Sequence, residues 1–393
     1  MGYSGNSHDS WSVSTLMPDI TGLGNGLINI VLLLVILVGL VVIHELGHFI
    51  AGRRAGVTVH EFGIGFPPRA LTYHTDKRGT IYTLNWLPIG GFVRMEGEDG
   101  ESDDPNAFVH KRLRTRVAIL LAGCAMNILL AFVIFTGIAL LSDPVANVRI
   151  AQVQPNSPAA AVGLKGGQQI GTDAQGNPTF DNSGDVIVAI DGRQFPTLDQ
   201  VDQPTPSLAY LRAHEGQPVT LTVQSADGSQ RDVSVTLRVP TSPDQGPLGV
   251  IVQPQLVQAS ITHDPLSALQ IGAQRTVDAA TLILRGLGDL LGNISNPPVS
   301  GPVGIVTDIG VVRSSLPPVY LIWFIGLLSA NLAVVNALPF PPLDGGRVAV
   351  SLIQAATGNR IGEAAERLVY LTGFLLLMAL LAWVTFFDIQ RLG

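Results

Sequence analysis

The chain contains one cysteine, Cys124, and very little charge. A single thiol excludes an internal disulfide and any cysteine-rich metal site. Charged residues make up 13% of the 393, against ~25% in typical soluble domains. A chain of this size needs charge to cover a water-facing surface, so much of this surface meets something other than water. There is no basic excess either: the formal net charge is −7, which argues against nucleic acid as a partner. Low-complexity repeats are missing and apolar residues reach 47%, so collagen-like, coiled-coil and disordered classes are excluded. Residues 1–26 carry no Lys or Arg. Without a basic n-region they are expected to be an external tail rather than a cleaved signal peptide.

The missing charge has a pattern. Residues 27–43 read LINIVLLLVILVGLVVI, and further apolar runs cover 117–141, 319–339 and 368–387. Runs near ~20 residues can cross ~30 Å of hydrocarbon as helices. The expected fold class is therefore a polytopic α-helical membrane protein with four transmembrane helices. Lys and Arg set the orientation. Ten lie in 51–116, four of them (Lys111, Arg112, Arg114 and Arg116) directly before the second run. Nine are scattered thinly through 142–318. The loop 51–116 is thus expected inside, with both termini and region 142–318 outside.

Between the second and third runs the character changes. Short β-rich segments appear at 148–153, 185–190, 218–223 and 231–237, with a helix-like piece at 206–213. This predicts an external β-rich domain over 146–240. SPAAAVGLK (157–165) and GDVIVAIDGRQF (184–195) resemble a PDZ domain of the circularly permuted bacterial type. Residues 166–183 interrupt that pattern and read as a surface loop. Residues 241–317 are expected to be a linker with one strand at 248–252, followed by an amphipathic helix with Leu266, Leu269, Ala273, Val277, Ala280, Leu284, Leu287 and Leu291 on one face.

The chemistry lies where charge is most expensive. The first apolar run continues as His44-Glu45-Leu46-Gly47-His48. His44 and His48 fall one turn apart on one helix face, near enough to grip one ion. Glu45 points about 100° away, where it suits a general base acting on water. Ionisable groups in a membrane helix are costly and usually functional. A catalytic zinc site needs a third protein ligand. Position 54 is Arg, which excludes a third histidine six residues on, and Glu61 sits in a β-like stretch. Asp344, in NALPFPPLDGG (336–346), is the better candidate. The third span starts outside, so it delivers Asp344 to the inner side, where the first span delivers His44 and His48. Pro339, Pro341 and Pro342 break the helix there, and such backbone is tolerated at membrane depth only where it lines protein or a wet cavity.

HELGH and NALPFPPLDGG together make the chain resemble a site-2 protease, of the bacterial regulator-of-sigma-E type with one PDZ domain. LPIGGFVRMEGE (87–98) and SGPVGI (300–305) are similar to further family segments, whereas Cys124 in AGCAMN (122–127) stands where the family commonly has Pro. The resemblance implies Zn2+ held by His44, His48 and Asp344, Glu45 as general base, and Asn336 as a contact to the substrate backbone. It implies membrane cores at 27–145 and 318–393, the first holding a membrane-associated β-rich loop. Within that loop TYHT (72–75), DKRG (76–79) and TIYTL (80–84) read as a hairpin whose edge could pair with unwound substrate. The expected partners are single-span membrane proteins, such as anti-sigma factors already cut once outside, and membrane lipid. An external peptide or envelope protein could meet the PDZ-like domain. The expected location is the bacterial cytoplasmic (inner) membrane. The rival reading is an inactive PDZ-bearing membrane scaffold, which would not need an intact Glu45 and a complete ligand set.

Overall fold

The computed structural model describes residues 20–98, 100, 102–172, 178–195, 206–240, 246–292, 299–358 and 363–392. Most of the tail 1–26 and the middle of the 166–183 loop lie outside them. Among the described residues, four helices are long and apolar enough to cross a membrane: Asn25–Arg54, Leu113–Leu141, Pro318–Ala337 and Ala364–Arg391. The chain divides into two units: Met1–Leu130 with Ala279–Ser315 and Leu327–Gly393, and Ala131–Asp278 with Leu316–Gly326.

The first unit is built on α1 (Ile20–Arg54), which includes the first of those four. Leu27, Val31 and Val35 on it are exposed, as suits a lipid-facing helix. After α1 comes a long antiparallel hairpin, β1 (Val59–Thr75) and β2 (Ile81–Met95), in which Thr75 pairs with Ile81 and Val59 with Met95. Its turn is the DKRG segment expected from the sequence. The Asp76 carboxylate accepts from the backbone N–H groups of Arg78 and Thr80. Phe49 of α1 meets Phe62 of β1 edge-on, with ring centroids 5.4 Å apart. Phe66, Leu71, Tyr73, Leu84 and Trp86 are exposed on the hairpin, a concentration of large apolar side chains that marks contact with something apolar.

The helix α2 (Leu113–Leu141) crosses α1 at Gly47. A Cβ on Gly47 would lie 2.3 Å from the Ala122 carbonyl oxygen, so only glycine allows the approach. Farther along are α5 (Pro265–Gly292), α6 (Pro302–Ser315), α7 (Pro318–Ala337), α8 (Asp344–Thr357) and α9 (Glu363–Leu392). The SGPVGI segment forms the start of α6. Asp388 of α9 accepts there from the N–H groups of Gly301 at 3.2 Å and Gly304 at 2.8 Å, satisfying donors that a helix start leaves free.

The second unit holds a five-stranded antiparallel sheet in the order β8-β7-β6-β3-β9. Its strands are β3 (Asp143–Val153), β6 (Val186–Ile190), β7 (Pro218–Gln224), β8 (Gln230–Thr236) and β9 (Val250–Ile261). Two short helices, α3 (Pro158–Ala161) and α4 (Pro206–Ala213), accompany it. Ile150, Ile190, Leu221, Val223 and Leu237 form the core. Two segments differ from the sequence reading. The 166–183 loop contains a small hairpin of β4 (Gln169–Thr172) and β5 (Pro178–Phe180). The short linker strand expected at 248–252 is longer: residues 250–261 form a full edge strand along β3. At the base of that pair Asp143 is fully buried. Arg275 reaches it with 3.0 and 2.9 Å bonds, and His263 with a 3.0 Å bond.

Candidate metal centre

His44 and His48 sit one turn apart on α1, both buried. The chain after α7 cannot stay helical through Pro339, Pro341 and Pro342, and α8 begins at Asp344. Gly345 and Gly346 let this turn close. A Cβ on Gly345 would lie 2.2 Å from the Ala337 carbonyl oxygen, and one on Gly346 2.5 Å from the Pro341 nitrogen. Asp344 is thereby brought to the histidines across 300 residues of sequence. Its Oδ2 lies 2.8 Å from Nε2 of His44 and 3.2 Å from Nε2 of His48, and the two Nε2 atoms are 3.2 Å apart. Among the described residues, this is the one cluster of His, Cys, Asp or Glu side chains disposed to hold a metal ion.

The outer ring nitrogens fix how the inner ones face. His48 Nδ1–H donates to the Ile119 carbonyl at 2.8 Å, which leaves its Nε2 lone pair for an ion. His44 Nδ1 lies 3.4 Å from the side-chain amide of the fully buried Asn127. The Oδ1 of that amide has no partner among the described residues. Amide orientation follows from the bonds it can make. Turned over, Asn127 accepts from His44 Nδ1–H, and its own orphan is satisfied. Both imidazoles then aim lone pairs at the Asp344 carboxylate, an arrangement that needs a cation between them. A tetrahedral zinc ion with ~2.0–2.1 Å ligand bonds has ligand–ligand edges of about 3.3 Å, close to the observed spacing. The donor set therefore fits zinc.

The surroundings leave room for it. Gly123 of α2 faces the cluster, and a Cβ there would lie 2.5 Å from Nε2 of His48 and 2.7 Å from Nε2 of His44. Glu45 stands beside the cluster, half-buried against β2 at Gly91. Asn336 is near the end of α7, and among the described residues no hydrogen bond joins it to His44, His48 or Asp344. Glu61 is accounted for elsewhere: Thr83 at 2.8 Å, Arg69 at 2.9 Å and Arg94 at 3.2 Å surround its carboxylate. Cys124 is buried next to Gly123 and takes no part in the cluster. Gly123, Asn127 and the Ile119 carbonyl were not singled out from the sequence. An asparagine inside an apolar helix was the available signal for Asn127.

The family model for peptidase family M50 matches residues 32–380. This chain belongs to that family. It is 30% identical to the zinc metalloprotease RasP of Geobacillus kaustophilus, over 92% of this chain and 98% of that protein. It is 33% identical to CPE1693 of Clostridium perfringens over 89% of this chain and 95% of the relative. A second RasP, from Oceanobacillus iheyensis, is 27% identical over 90% and 96%. The chain is thus a zinc metalloprotease of the site-2 protease family, with four helices suited to a membrane.

Proposed function

We propose that this chain is an intramembrane endopeptidase in which His44, His48 and Asp344 hold the zinc ion and Glu45 is the general base. The observation that carries this reading is the convergence of His44 Nε2, His48 Nε2 and Asp344 Oδ2 within 3.2 Å of one another. Zinc bound there supplies Lewis acidity, which makes water a nucleophile near neutral pH. Glu45 takes the proton from the attacking water and returns it to the leaving amine. The charge of Asp344 at the first turn of α8 is favoured by the helix dipole.

The substrate is a single-span membrane protein, such as an anti-sigma factor already cut once outside. Its helix satisfies its own backbone, so it must unwind before a carbonyl can be attacked. The β1–β2 hairpin offers strand edges for the freed groups, and Asn336 offers an amide. The five-stranded sheet with its two short helices supports a PDZ-like domain, which filters substrates by size. The basic loop 51–116 supports an inner-membrane protein with that loop and the metal centre toward the cytoplasm, and with the PDZ-like domain and both termini outside.

The test is the Glu45→Gln variant of the purified full chain. It should retain zinc by elemental analysis and lose cleavage of a transmembrane reporter by at least ~10²-fold, the low end for general-base loss. Cleavage at the wild-type rate would overturn the assignment.

A further inference from the structure

The MEGE end of β2 and the arginine of LDGGR have no role in the mechanism above, yet they meet. Arg347 lies three residues after Asp344, on the same side of the first turn of α8, and its backbone N–H closes that turn on the Leu343 carbonyl at 3.1 Å. Its Nη1 donates to Glu98 Oε1 at 2.5 Å and its Nη2 to the Glu98 carbonyl at 3.5 Å. The Glu98 carboxylate also accepts from the Met95 N–H, the last residue of β2, at 3.4 Å. Both side chains are largely shielded, at 26% and 14% exposure. Tyr370 of α9 interacts with both Arg347 and Glu366. Gln354 of α8 donates to that same Glu366 at 2.8 Å.

We infer that Arg347 is a positioning residue that fixes the third metal ligand relative to the hairpin. The physical argument concerns freedom. Asp344 is the first residue of its helix, and its N-cap, Leu343, offers no side-chain bond. Gly345 and Gly346 seat the start of α8 on the Ala337–Pro341 turn, but nothing in that contact ties the helix to the hairpin. Arg347 makes that tie, and a two-pronged guanidinium contact is directional. One end of the contact is Glu98, three residues past β2 and bonded to the last N–H of that strand, and the other is one turn from the ligating carboxylate. The hairpin and the metal ligand therefore move as a single piece.

This inference rests on Asp344 being a ligand, and the experiment separates the two. Apo protein is titrated with zinc against a chelator, with thermal unfolding of each apo variant recorded alongside. Arg347→Ala and Glu98→Gln should each weaken zinc binding 10–100-fold, the range seen for partners of metal ligands. Adding Glu98→Gln to Arg347→Ala should cost nothing further, since both remove one contact. Arg347→Lys should recover little, and exchanging the charges with Arg347→Glu plus Glu98→Arg should recover part of the loss. If Arg347→Ala melts early, Glu98→Gln, which keeps the shape of the side chain, decides the matter. Zinc binding within twofold of wild type in Glu98→Gln would overturn the inference while leaving Asp344 a ligand. Zinc binding unchanged in Asp344→Asn would overturn the ligand assignment itself.

Discussion

Gly123 and His48 approach so closely that only a hydrogen atom fits between the α2 backbone and the Nε2 atom of the imidazole. The small residue keeps open the space in which an ion and a water would stand. Gly123→Ala should therefore remove zinc and activity together. The same change favours the helix by ~1 kcal/mol, so helical content by circular dichroism should not fall. Elemental analysis of the purified variant checks it, and full zinc occupancy would contradict it.

Asn127 holds His44 from behind, and its backbone carbonyl accepts from Ser329 at 2.8 Å. Asn127→Leu leaves the Nδ1–H of His44 without a partner in a dry site. Zinc affinity should fall roughly 10–100-fold, measured by chelator competition. Asn127→Asp keeps an acceptor and should lose less.

The Asp143–Arg275 pair is a prediction about stability. Arg275 is 4% exposed and Asp143 fully buried. Arg275→Met leaves the buried Asp143 carboxylate with His263 as its remaining partner among the described residues and should destabilise the protein by up to about 3–5 kcal/mol. Adding Asp143→Leu removes the buried charge and should restore most of that. Denaturant unfolding of the two variants distinguishes this from a simple packing defect, in which the second change would add to the first.

The hairpin turn should respond to acid. Partial burial pushes the Asp76 carboxyl up, but the Arg53 guanidinium and the N–H groups of Arg78 and Thr80 outweigh it and hold its pKa below the usual carboxylate value. A depressed folded pKa means that stability is present above the unfolded value of about 3.9 and is lost as pH falls through the folded one. The protection factor of the Thr80 amide, taken against the intrinsic exchange rate at each pH, should therefore fall below pH ~4 in the wild type. In Asp76→Asn it should not show that acid-dependent fall.

Much of this could be read from residue order because it is local. Turn chemistry placed the hairpin at 76–79, and apolar length placed four helices. The His44–His48 spacing is a property of one helix, and the prolines before Asp344 announce a break. What escaped was the meeting of distant elements. Apart from Asn127 itself, nothing near Gly123 in sequence says which face of α2 lies against α1, because a helix this apolar has almost no amphipathic bias. The strand β9 escaped for a related reason: the polar QPQ within it weakens its local signal, while pairing with β3 supplies the bonds.

The lone cysteine acquires a counterpart in this light. An ion gripped by His44 and Asp344 would tie together points 300 residues apart, closing about three quarters of the chain into a loop. That is the task of a cross-link, which a chain with one thiol cannot make from sulfur. Chelation would then do more than silence a catalyst. It would untie the two ends of the membrane core, so resistance to heat and to proteases should rise and fall with free metal concentration.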